Sequence, residues 1–136
     1  MLDHILDEVL LAHLKTAPAL APLNGYTGQD SADHKLPTLT VSTTSEPLAG
    51  SDTAFRGEVS VFIESEAHDT TAAAHGERVE AVRALLADRA AVVAALNATT
   101  RLHIYGYAPL GTEPTAGDAR FNTKLRYRFG FGPGVN

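Results

Sequence analysis

Residues 54–67 read AFRGEVSVFIESEA, and their pattern decides the fold. Phe55, Gly57, Val59, Val61 and Ile63 fall on one side of a two-residue period. Arg56, Glu58, Ser60, Glu64 and Glu66 fall on the other, with Phe62 the one apolar exception. The alternation predicts a half-buried antiparallel strand. A slip of one residue would turn the apolar set to water, so the register is strongly fixed.

Downstream, His68, Asp69 and Thr70 supply a helix start with Asp69 or Thr70 as the N-cap. Val79, Val82, Leu85, Leu86, Val93 and Leu96 then form an apolar stripe, so a long helix is expected as a lid on the sheet. Gly76 weakens its first turns, and Asp88 marks a bend or a second short helix, DRAAVVAALN. Two strands follow, over 101–109 (RLHIYGYAP) and 119–131 (ARFNTKLRYRFGF), with a Gly/Pro loop over 111–118. In the last, Phe121, Leu125, Tyr127, Phe129 and Phe131 alternate with Asn122, Lys124, Arg126, Arg128 and Gly130. Its polar face is a row of three cations.

Upstream, residues 36–44 (LPTLTVSTT) predict a short edge strand, since Pro37 suits a first or edge position. Residues 16–35 are rich in Pro, Gly, Asn, Asp and Ser and have no period. They predict a long loop, a candidate contact arm with Tyr26, Asp30 and Asp33 as contact residues. At the start, Leu2, Ile5, Leu6, Val9, Leu10 and Leu14 define a helical stripe, with Asp3, Asp7 and Glu8 early and Lys15 late, as the helix dipole favours. The expected fold class is α+β: a four-stranded, largely antiparallel sheet with a long helix and an N-terminal helix packed on one face. It forms a single domain over 1–136, with 17–35 an extended loop and 132–136 a flexible tail.

The 136 residues, 44% of them hydrophobic, are enough for a core without staples. Having no cysteine excludes disulfides, thiolate metal sites and a cysteine nucleophile. A net charge of −5 argues against broad binding of nucleic-acid phosphates. No apolar run approaches the roughly 20 residues of a membrane span. The first residues lack the basic and apolar regions of a secretory signal, so a soluble protein made in the cytoplasm is expected.

Six histidines, His4, His13, His34, His68, His75 and His103, show no metal-site spacing, and no metal or cofactor is expected. Asp69 beside His68 looks like half of a hydrolytic dyad, but no serine elbow exists and capping explains Asp69 better. His75 is expected to pack at the edge of the sheet. The glycines of GTEPTAG and FGFGPG read as turns or a loose tail rather than phosphate loops. Lys124, Arg126 and Arg128 would suit a nucleic-acid backbone with Tyr105 and Tyr107 stacking on bases. Cross-strand pairing with Glu58, Glu64 and Glu66, or with a second subunit, is the preferred reading.

Taken together, the N-terminal helix, the loop into LPTLTV, the strand RGEVSVFIESEA, the run HGERVEAVRALLAD with AAVVAAL, and the closing TKLRYRF resemble the tail-terminator (tail-completion) proteins of long-tailed bacteriophages. The resemblance covers nearly the full length as a pattern of elements. It implies a structural virion protein, not an enzyme, assembled in the host cytoplasm and sited at the head-proximal end of the tail. Its hexameric ring would cap the tail tube, end tail polymerisation and join the head, with DNA passing through the lumen without specific binding. The implied partners are further copies of itself, the tail tube protein and a head-completion or neck protein, with no membrane. Arg56, Glu58, Glu64, Lys124, Arg126 and Arg128 are the candidate subunit or partner interface, because a ring needs patches of opposite sign. The alternatives are a head-completion or neck connector, a small nucleic-acid-binding domain using the basic sheet face, and a small cytoplasmic enzyme with a His/Asp site.

Overall fold

The computed structural model describes residues 2–28, 35–51, 53–66, 71–116 and 120–134, without the side chains of 113–116 and 120. Helix α1 (Leu2–Leu14) buries Leu6, Leu10 and Leu14, the inner half of the expected stripe, together with Asp7. The chain then turns back, and the Lys15 ammonium donates to the Leu23 carbonyl across the turn. Leu20 and Leu23 are fully or almost fully buried, so this part of the supposed loop is anchored in the core.

Among the described residues five strands form the sheet, rather than the expected four. β1 (Asn24–Thr27) lies parallel to β2 (Thr38–Pro47), and β2 pairs antiparallel with β3 (Phe55–Glu66). β4 (Leu102–Ala116) and β5 (Arg120–Pro133) form a long hairpin whose second strand inserts between β3 and β4, giving the order β1-β2-β3-β5-β4. Because β3 and β4 are both antiparallel to β5, they run parallel to each other. A parallel return needs a long crossover, and helices α2 (Ala72–Ala87) and α3 (Arg89–Asn97) supply it.

Several boundaries differ from the sequence expectation. β2 is ten residues long and interior along its first four, because β1 covers it there. Pro37 lies just before it, in a cis bond to Leu36, and its carbonyl accepts the Asn24 N–H. The Gly/Pro segment after 111 is largely strand, since cross-strand pairing carries β4 through two register shifts to Ala116. At the other end β5 runs on to Pro133, so the first residues of the expected tail belong to the sheet. Thr71, not Asp69 or Thr70, caps α2, its hydroxyl accepting the Ala74 N–H at 3.1 Å. The long helix is two: Asp88 ends α2 and caps α3 by accepting the Ala91 N–H at 3.1 Å. Among the described residues, no helix is long and apolar enough to cross a membrane.

The three helices among the described residues pack on one face. Leu39, Val41, Val59, Val61, Ile63, Leu125, Phe129 and Phe131 point from the sheet into a core shared with Leu6, Leu10, Val82, Leu86, Val92 and Leu96. These sheet residues share one parity in the paired register, so the intervening residues of β2, β3 and β5 line the opposite face. Among the described elements no helix covers that face.

Candidate functional site

Two polar clusters merit a chemical reading: one under the helices and one on the open sheet face. Under the helices, His75 of α2 sits over the central strands β3 and β5, not at the sheet edge. Its Nδ1 is 3.2 Å from Ser65 Oγ and its Nε2 is 2.9 Å from Thr123 Oγ1, while its ring stacks on Phe121. Arg78 Nη1 donates to the same Ser65 hydroxyl at 2.8 Å. Burial, with the Arg78 cation beside it, holds the His75 pKa below the ordinary histidine value. Ser65 and His75 are within the reach that a nucleophile and its base require. However, Ser65 is only 1% exposed and both ring nitrogens already face hydroxyls, so a substrate has no approach. The cluster pins α2 to the sheet. The sequence points instead to His68 and Asp69, which lie outside the described residues together with His34, Asp30 and Asp33.

On the open face, the strands align most of the candidate residues in rungs. Glu46 and Arg56 are directly opposite across β2 and β3, with Arg56 Nη2 donating to Glu46 Oε1 at 3.2 Å. Glu58 is opposite Arg128, and its carboxylate accepts a hydrogen bond from the diagonal Arg126 Nη2 at 2.6 Å. That bond, helped by the Arg126, Lys124 and Arg128 charges and opposed by burial, holds the Glu58 carboxyl below the usual range. Lys124 faces Phe62, with its ammonium 5.6 Å from the ring centroid, a cation–π distance that explains the one apolar residue among the outward positions of β3. Glu64 is opposite Asn122, and both are engaged by partners. The structure thus brings Arg56, Glu58, Glu64, Lys124, Arg126 and Arg128 together on one face of adjacent strands.

Tyr26 is elsewhere: its hydroxyl accepts the Lys35 N–H at 2.9 Å, while Asn24 Nδ2 donates to the Lys35 carbonyl at 2.8 Å. These bonds tie the two ends of the segment spanning 28–35. The tyrosine pair envisaged for base stacking is split. A register shift between Ile104 and Gly106 leaves Tyr105 exposed at the open face, whereas Tyr107 is buried under α2 and donates to the Leu86 carbonyl at 2.6 Å. Burial raises the Tyr107 and Tyr127 pKa values, the latter to about 12.

Asp7, read from the sequence only as an early acid of the first helix, is buried, and its carboxylate accepts the Thr43 hydroxyl at 2.5 Å where α1 meets β2. An acid on the flank of an otherwise leucine-rich stripe was the available signal. Among the described residues no group of three or more His, Asp or Glu side chains converges as a metal site would.

No protein-family model and no curated protein matches the chain. Among 28 similar solved chains, one that carries only a sequence label aligns over 95% of this chain and 96% of its own length, at 15% identity and a TM-score of 0.43. A likeness of that size carries no argument about fold or function.

Proposed function

We propose that this protein is a structural tail-completion protein. Its copies join head to tail into a ring, expected to be hexameric, on the end of a phage tail tube, and the ring ends polymerisation and joins the head. The observation that supports this reading is the division of the sheet. Three helices occupy one face, and the other presents a ladder of opposite charges on β3 and β5 to the outside. A surface of this kind suits heterologous contacts, in which a patch of one subunit meets a different patch of the next. Its sites are then Arg56, Glu58, Glu64, Lys124, Arg126 and Arg128, and its partners are other copies, the tube protein and a head-completion or neck protein.

Arg126→Glu tests the reading, because it places two carboxylates where the Glu58–Arg126 pair stands. The expected result is an intact fold by circular dichroism, with weakened ring formation and weakened addition to tube ends in negative-stain micrographs. Wild-type protein that neither decorates tube ends nor alters tail length when its gene is deleted would overturn the reading.

A further inference from the structure

At the turn end of the sheet, the open face changes character. Leu48 and Tyr105, 40% and 54% exposed, are the exposed large apolar residues among those described, and both lie here. Beside Leu48 is a depression of about 230 Å³, floored by Gly106, Ala108 and Gly130 and flanked by Arg56 and Arg128. Its floor is open because the register shift after Ile104 sets Gly106 opposite Gly130, removing side chains from two adjacent strands at one point. A Cβ at Gly106 would meet nothing within 4 Å. Among the described residues Arg56 is held by Glu46 alone, in a pair whose side chains are 56% and 69% exposed, so an incoming carboxylate competes for it at little cost.

We propose that this notch is a docking site for a different protein, one that inserts a large apolar side chain flanked by carboxylates. Size and apolar lining select the anchor, and the two guanidiniums select the acids beside it. A second copy of this chain is a poor occupant. Its own exposed large apolar residues, among those described, are Leu48 and Tyr105, so it could offer an anchor only notch to notch. That would set the Arg56 and Arg128 of one copy against those of the other, a like-charge contact. Docking here requires no ring, and under the tail-completion reading it assigns the notch to an axial partner rather than to the neighbouring subunit.

The test uses the whole protein labelled with ¹⁵N and three capped pentapeptides: Glu-Glu-Phe-Glu-Glu, Glu-Glu-Ala-Glu-Glu and Lys-Lys-Phe-Lys-Lys. The acidic phenylalanine peptide is expected to give saturable shifts at the amides of Gly106, Ala108, Arg128 and Gly130, with the other two binding at least about tenfold more weakly. Gly106→Phe fills the notch and Arg128→Glu reverses its rim, and each is expected to weaken that peptide by about tenfold or more. The second variant, on an exposed side chain, decides the matter if the first fails to fold. Absence of saturable shifts, equal binding of all three peptides, or undiminished binding by a folded variant would overturn the site. A concentration-dependent dimer of the wild type that Gly106→Phe abolishes would also overturn it, by making a second copy the occupant. Tube-end addition by the variants, scored separately, tests ring assembly and not the notch.

Discussion

Asp7→Asn isolates a charge that the fold buries at a cost. Asp7 is 1% exposed, and its Oδ1 accepts the Thr43 hydroxyl while Oδ2 has no hydrogen-bond partner among the described residues. Burial is the main force raising its pKa from 3.8 to about 6; the Thr43 bond opposes it, Asp3 adds to it, and His4 lowers it. The folded state therefore holds the proton more tightly than the unfolded chain does. The resulting stability is full below pH 3.8 and is lost as pH rises through about 6. The gap between those two values corresponds to about 3 kcal/mol. Asparagine keeps the acceptor for Thr43 and cannot ionise. The difference in unfolding free energy between variant and wild type should thus move by about 2 kcal/mol in favour of the variant between pH 4 and pH 7, the rest of the gap lying below pH 4. Taking the difference cancels the other titrating groups. Urea unfolding followed by circular dichroism at 222 nm measures it, which suits a chain with no tryptophan. A difference that stays constant across that range would refute the assignment of a buried charge to Asp7.

Three further outcomes follow from packing and capping. His75→Leu leaves the Ser65 and Thr123 hydroxyls short of a partner and should cost about 2–4 kcal/mol at pH 7.5 in the same urea assay. Because the folded pKa of His75 lies below 6.5, its neutral form contributes stability above that pH which is lost as pH falls through it, and the leucine variant should lose this dependence. Thr71→Ala removes the α2 cap and should lower stability by about 1 kcal/mol, read as a shift in the thermal midpoint. Gly132→Ala drives a methyl group into the Thr53 carbonyl and the Tyr105 ring, and should destabilise by about 1–3 kcal/mol, whereas Gly106→Ala, with free space around its Cβ, should change little.

The elements that the sequence made legible are those whose packing is one-sided. β3 and β5 alternate because one face is covered and the other is open, and the period of two reports that directly. Asp88 was readable as a break because aspartate competes for the backbone at a helix start. β1 was not readable: Asn-Gly-Tyr-Thr is too short to show a period, and it is a strand because β2 offers it an edge and Leu20 and Leu23 anchor the approach. The far half of β4 was hidden for a related reason. Gly111 and Pro114 read as loop, but a strand at the sheet edge needs only one row of hydrogen bonds and tolerates them through register shifts. On the open face, the pairing of the β5 cations with the β3 acids was legible from alternation alone. The notch was not, because it is made by where side chains are missing, and two glycines 24 positions apart become neighbours only once the hairpin register is known.

The open face also departs from the charge of the protein as a whole. The chain carries −5, yet the described charged side chains on this face are Arg56, Lys124, Arg126 and Arg128 against Glu46, Glu58, Glu64 and Glu66, which balance. The excess of acid therefore lies elsewhere. Exposed pairs such as Glu46–Arg56 add at most about 1 kcal/mol each to folding, so the ladder contributes little to holding the sheet together. In association it contributes more. Copies of an acidic protein repel one another at long range, and a locally neutral strip with alternating signs lets them approach where that repulsion is weakest and selects a register once they touch. At the notch end Arg56, opposite Glu46, and Arg128, opposite Glu58, stand beside an apolar floor, so one strip offers two kinds of contact. Its middle suits a partner with a matching charge ladder, and its end suits a partner that brings acid and an apolar anchor together.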